Sequence, residues 1–205
     1  MTFKAMFFKT LILGSLLLSL NAVSMETVSH QQIDSVLDSL LRNTKNSDFL
    51  KLQMKLDIIS ANRLEISGSE FTELPYEIEK LQSLEVLVIR DTNISKIPYE
   101  FARLKNLKVL EITGNRLLTS LPYELGNLEN LFNMNLSRNP ISNIPYEFGK
   151  LKNLKFLDLS GTSIKSLPYE LGKIRGLEEL NVSGTLAGKD IPYEIKELPR
   201  LRIIY

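Results

Sequence analysis

The chain has 205 residues, 43% of them hydrophobic, with 25 Lys+Arg against 24 Asp+Glu for a formal net charge of +1. That length and apolar content suffice for one packed domain, and the near-balance of charge gives no electrostatic pull toward nucleic acid or anionic lipid. With no cysteine and one histidine, thiol nucleophiles, disulfides and Cys/His metal sites are excluded, and most hydrolytic chemistry goes with them.

Residues 1–24 carry Lys4 and Lys9, then an apolar run from Leu11 to Leu20 broken only by Gly14, Ser15 and Ser19. Small residues Ala22 and Ser24 then stand at the −3 and −1 positions of a cut before Met25, the layout of a secretory signal peptide. The run is shorter than the roughly 20 apolar residues of a spanning helix. The expectation is therefore cleavage and export to the periplasm, the cell surface or the medium, with no integral membrane span afterwards. Without disulfides, an exported domain must be held together by burial alone.

Residues 25–60 are expected to cap the domain that follows. Ser29 and Gln32 have the spacing of a capping box, and Ile33, Val36, Leu37, Leu40 and Leu41 recur at helical spacing, which predicts an amphipathic helix over 30–43. His30 opens that helix and reads as a solvated residue, not as the base of a Ser-His-Asp triad. From Leu50 to Ile58 apolar and polar residues alternate strictly, which predicts a strand at about 50–58.

The remainder, 61–205, repeats itself. Pro75, Pro98, Pro122, Pro145, Pro168 and Pro192 follow one another at steps of 23, 24, 23, 23 and 24 residues, and each is followed by Tyr-Glu. Between them runs the pattern L-x-x-L-x-L-x-x-N-x-L, clearest as Leu107, Leu110, Ile112, Asn115, Leu117 and as Leu131, Met134, Leu136, Asn139, Ile141. Six copies are followed by a truncated last coil carrying Leu198, Leu201 and Ile204. The alternation in Leu110-Glu111-Ile112 sends the apolar pair inward and Glu111 out, as in a short strand. Proline and an early glutamate favour a helical turn after it, with Ile78, Phe101, Leu125, Phe148, Leu171 and Ile195 turned inward.

In these letters the chain resembles the leucine-rich-repeat family, in the form L-P-x-E-[IL]-G-x-L frequent in bacterial proteins. The resemblance implies an α/β fold: a right-handed solenoid with a concave parallel β-sheet and short helical or 3₁₀ turns on the convex side. One departure is that the asparagine position holds Asn only at Asn115 and Asn139, with Ser69, Thr92, Thr162 and Thr185 elsewhere. A hydroxyl reaches less far than an amide, so the polar ladder there should be weaker.

Two surfaces compete for function. On the concave sheet the outward positions vary between copies, and the candidate partner-binding residues are Val86, Val88, Arg90, Val109, Glu111, Asn133, Asn135, Phe156, Asp158, Glu179 and Asn181. Apolar residues among acids there suit a protein or peptide ligand. The other surface is the ladder of Tyr76, Tyr99, Tyr123, Tyr146, Tyr169 and Tyr193, each beside a glutamate, explained by duplication with ring stacking between coils or by recognition of a repetitive target. The glutamates lie one per coil and do not converge, so neither a calcium site nor a catalytic carboxylate pair is expected, and no cofactor. Asn93-Ile-Ser95, Asn135-Leu-Ser137 and Asn181-Val-Ser183 match the glycosylation tripeptide, read as incidental because two of them sit on the sheet. The sequence thus points to a non-catalytic, exported binding protein. The alternative is a structural or adhesive protein that assembles through the Tyr-Glu strip or self-associates through the open last coil.

Overall fold

The structure is a computed structural model, and it describes residues 29–42, 54–55, 57–59 and 62–205. The expected signal peptide lies outside the described residues. Among those described, no helix is long and apolar enough to cross a membrane.

The cap helix spans His30–Leu41 and begins with a closed capping box: Gln32 N donates to Ser29 Oγ at 3.2 Å, and Ser29 N donates to Gln32 Oε1 at 2.9 Å. Its buried stripe is Ile33, Val36, Leu37, Leu40 and Leu41. The strand expected at about 50–58 is overturned where that segment is described, because residues 54–55 and 57–59 are helical. Strict alternation also contains i, i+4 pairs, and Met54 and Ile58 are such a pair, both buried on one helical face. Lys55 Nζ binds Asp34 at 2.7 Å, fastening this segment to the cap helix.

Seven strands follow: β1 (Arg63–Ser67), β2 (Val86–Arg90), β3 (Val109–Thr113), β4 (Asn133–Asn135), β5 (Phe156–Asp158), β6 (Glu179–Asn181) and β7 (Arg202–Ile204). They form one parallel sheet in sequence order, in register from coil to coil, and β7 comes from the truncated last copy. The inward pairs, such as Leu110 with Ile112 and Leu157 with Leu159, are buried. Each such leucine or isoleucine contributes about 1.5–3 kcal/mol on leaving water.

On the opposite side five 3₁₀ turns run Tyr76–Lys80, Tyr99–Arg103, Tyr123–Asn127, Tyr146–Lys150 and Tyr169–Lys173, with a single α-turn at Tyr193–Lys196. Proline stands just before each turn, and its carbonyl accepts the opening bond, as from Phe148 N to Pro145 O at 3.1 Å. Ile78, Phe101, Leu125, Phe148, Leu171 and Ile195 are all fully buried. Successive turns approach closely in the later coils. A Cβ on Gly149 would lie 2.5 Å from Glu170 O, and one on Gly172 equally close to Glu194 O. The second coil has Ala102 at this place.

Where the strands turn out, Asn115 and Asn139 form a buried cross-coil ladder. Asn139 Oδ1 accepts from Asn115 N at 2.8 Å, and Asn139 Nδ2 donates to Ile112 O and Leu136 O at 2.7 Å each. Asn115 Oδ1 in turn accepts from Thr92 N at 3.1 Å and Thr92 Oγ1 at 2.6 Å. Thr162 Oγ1 and Thr185 Oγ1 donate only within their own coils, to Leu159 O and Val182 O. The shorter hydroxyl indeed leaves the later coils without side-chain ties at this position. In the third copy the inward residue is Leu118, fully buried, and not Leu117, which is 54% exposed. The 24-residue step from Pro98 to Pro122 places its extra residue there.

Candidate functional site

The concave face divides into two unlike halves. Over β1 to β3 it is closed by its own charges. Arg90 sits two residues beyond Val88 on the same face, and Val88 is flanked in register by Glu65 and Glu111. Arg90 Nε lies 3.4 Å from Glu65 Oε1, and Arg90 Nη2 lies 3.4 Å from Glu111 Oε2. Arg63 adds a bond to Glu65 at 2.8 Å. The guanidinium therefore spans the two carboxylates across Val88, and Val88 is fully buried. Its expected place among the ligand-contacting residues is corrected: alternation aims Val88 outward, but its neighbours cover it.

Over β4 to β6 the face is built differently. Asn135, Asp158 and Asn181 are register partners across three strands. Each side chain folds forward onto its own backbone, accepting from Ser137 N at 2.9 Å, Ser160 N at 2.8 Å and Ser183 N at 3.0 Å. Such Asx turns compete with the strand ladder, which accounts for three-residue strands here against five-residue strands where Glu65, Val88 and Glu111 hold the same place. Two of the Asn-x-Ser tripeptides fall on these turns, and in the second Ser183 Oγ also donates to Asn181 Oδ1 at 2.7 Å.

Beside these residues Phe132 and Phe156 meet edge to face, with ring centroids 5.3 Å apart. Phe132 is 44% exposed and Phe156 half-buried. Phe132, Val109, Lys108 and Lys155 border a shallow open groove of about 660 Å³. Lys108 pairs with Glu85 at 2.9 Å and Lys155 with Glu178 at 2.8 Å, so both lysines lean away from Phe132. Arg202 pairs with Glu179. Among the described residues, every carboxylate on a strand or just before one thus has a cationic partner within the chain, except Asp158.

The Tyr-Glu strip lies apart, beside the turns. Its six tyrosines are 55–70% exposed. Their rings do not stack on one another; the aromatic contact among the described residues is Phe132 on Phe156, and Lys173 Nζ sits 5.8 Å from the Tyr169 ring centre. The phenols of Tyr99, Tyr123, Tyr146 and Tyr169 are held above their usual pKa by hydrogen bonds to the adjoining Glu100, Glu124, Glu147 and Glu170, and next by those carboxylates' charge. No group of side chains suited to holding a metal ion occurs among the described residues.

The model of the leucine-rich repeat region matches residues 15–139, and that of the single leucine-rich repeat matches 130–151 and 153–174. The chain belongs to the leucine-rich-repeat family. No curated protein matches it. Among solved structures, a leucine-rich-repeat protein of Leptospira interrogans is similar at 28% identity and a TM-score of 0.64, over 80% of this chain and 40% of that one. The Arabidopsis receptor kinase HAESA, solved with the peptide hormone IDA and the co-receptor SERK1, is similar at 24% identity and a TM-score of 0.50. That match covers 59% of this chain and 24% of the kinase, and shows the fold alone. This chain thus spans two-fifths of the Leptospira protein's length. Leucine-rich-repeat domains are typically non-catalytic scaffolds that mediate protein–protein interaction.

Of the candidate residues on this leucine-rich-repeat sheet, Val86, Arg90, Val109, Glu111, Asn133, Asn135, Phe156, Asp158, Glu179 and Asn181 are all half-buried on the concave side. Arg90 and Glu111 are engaged in the clamp, and Glu179 is held by Arg202. The residue that sequence reasoning missed is Phe132. Its signal was legible: the place just before the strand is charged in the neighbouring copies, at Glu85, Lys108, Lys155 and Glu178, and aromatic only here.

Proposed function

We propose that this chain is an exported, non-catalytic binding protein that takes a protein or peptide ligand on the β4–β6 half of its concave sheet. The observation that carries the reading is exposed Phe132 packed edge to face on half-buried Phe156 beside the open groove, on a face where solvation alone would place polar residues. The signal-peptide layout of residues 1–24 supports export, to the periplasm, surface or medium, and the likeness to a Leptospira protein supports a bacterial source. A second reading, assembly or adhesion through the Tyr-Glu strip, is favoured by six exposed aromatic rings in line.

The two readings separate by capture from bacterial envelope extract and from host lysate, using the unaltered chain, Phe132→Ser with Phe156→Ser, and Tyr146→Ser with Tyr169→Ser. A partner retained by the tyrosine variant and lost by the phenylalanine variant supports the concave face. The opposite pattern, or capture of nothing by folded protein, sinks it.

A further inference from the structure

The charges on the concave face single out one residue. Glu65, Glu85, Glu111, Glu178 and Glu179 each have an arginine or lysine of the chain itself as partner, whereas Asp158 has none among the described residues. Asp158 Oδ1 accepts from Ser160 N, which leaves Oδ2 for another donor. Its register neighbours are Asn135 and Asn181, neutral amides that bring neither competing charge nor compensation. Two residues back on the same strand and face is Phe156, with Phe132 against it. A lone carboxylate beside an aromatic pair with one ring exposed is the complement of a cation beside an apolar group.

Resting on the concave-face reading above, we propose that Asp158 receives the Lys or Arg of an extended ligand segment whose apolar side chain rests on Phe132 and Phe156. Same-face residues on an extended chain recur at every second position, roughly 7 Å apart, the same separation as Phe156 and Asp158 on their strand. The recognised element is therefore a cationic and a large apolar residue two positions apart in a protein or peptide. The amides of Asn135 and Asn181 turn their oxygens to the backbone, so their NH₂ groups are available to the segment's carbonyls.

The test is selection of displayed random peptides on the full chain, followed by affinity measurement on variants. Asp158→Asn keeps the turn, because asparagine already makes it at positions 135 and 181. The expected result is enrichment of Lys or Arg two positions from Phe, Leu, Ile or Trp, with affinity falling about tenfold on Asp158→Asn and on added salt. Peptides that weaken on Phe156→Ser but not on Asp158→Asn overturn this proposal and leave the concave-face reading standing. Peptides indifferent to both variants overturn both. Peptides without a cationic residue, or none selected, overturn the assignment of Asp158.

Discussion

Replacing Asn139 by alanine tests how much the buried amide ladder holds the coils together. The side chain is 1% exposed and makes its bonds across a coil boundary. Alanine strands Asn115 N, Ile112 O and Leu136 O, each a buried backbone group whose loss of partner costs about 1–3 kcal/mol. Near the low end of that range three groups sum to about 4 kcal/mol, against a total of roughly 10 kcal/mol for a domain of this size. Asn139→Thr retains one bond, since Thr162 Oγ1 donates to Leu159 O at 2.6 Å in the equivalent place, and should lose about 2 kcal/mol. Thr162→Asn runs the other way. Asn139 N has no acceptor among the described residues, and an amide at 162 would supply one as Asn139 does for Asn115, a gain of about 1 kcal/mol. Urea denaturation followed by circular dichroism, with the slope checked for constancy, reads all three. If Asn139→Ala and Asn139→Thr lie within half a kcal/mol of each other (about the scatter of a surface substitution), or if Thr162→Asn destabilises, the ladder is not what ties the coils.

Val88→Ala should lower stability by about 1.5 kcal/mol in the same assay while leaving ligand affinity unchanged, because Val88 packs beneath Arg90; an affinity loss without a stability loss would restore it to the binding surface. Arg138 has a left-handed φ of +57° at the place where Gly114, Gly161 and Gly184 stand. Arg138→Gly should therefore raise stability by about 0.5–1 kcal/mol, the relief of strain exceeding the added chain entropy. Ultraviolet titration of the native chain should show tyrosines ionising above the midpoint of the unfolded chain. A phenol pKa raised on folding stabilises fully below pH 10, the unfolded value, and that contribution is lost as pH rises through the folded one. Glu147→Gln should bring Tyr146 back down, and an unchanged titration would remove the carboxylate as its cause.

The fold was legible because one unit is written six times. Leu110, Ile112 and Phe148 fall at fixed distances from a proline, and each inward position is read several times over. What escaped were places where two assignments fit one pattern. Leu117 and Leu118 both suit the inward position, and only packing chooses. Met54 and Ile58 satisfy both alternation and a helical face. Val88 obeys the rule for an outward residue, yet its fate is decided by Arg90, Glu65 and Glu111, which come together only when the coils stack. Asn135, Asp158 and Asn181 stand outward on the sheet as alternation places them, but they owe part of their identity to ending their strands. The aromatic pair needed a comparison along the column of copies, where Phe132 is the exception among charges.

The missing methyl of Gly149 and Gly172 has a consequence for the shape of the arc. Strand spacing on the inner side is fixed by backbone hydrogen bonding at about 4.8 Å, so the bend per coil is set by the separation of the outer turns. Glycine at 149 and 172 lets those turns close to a separation that a Cβ would forbid, which opens the radius of the arc there. A single carbon atom per coil thus bears on how far a bound surface must itself curve to meet the sheet.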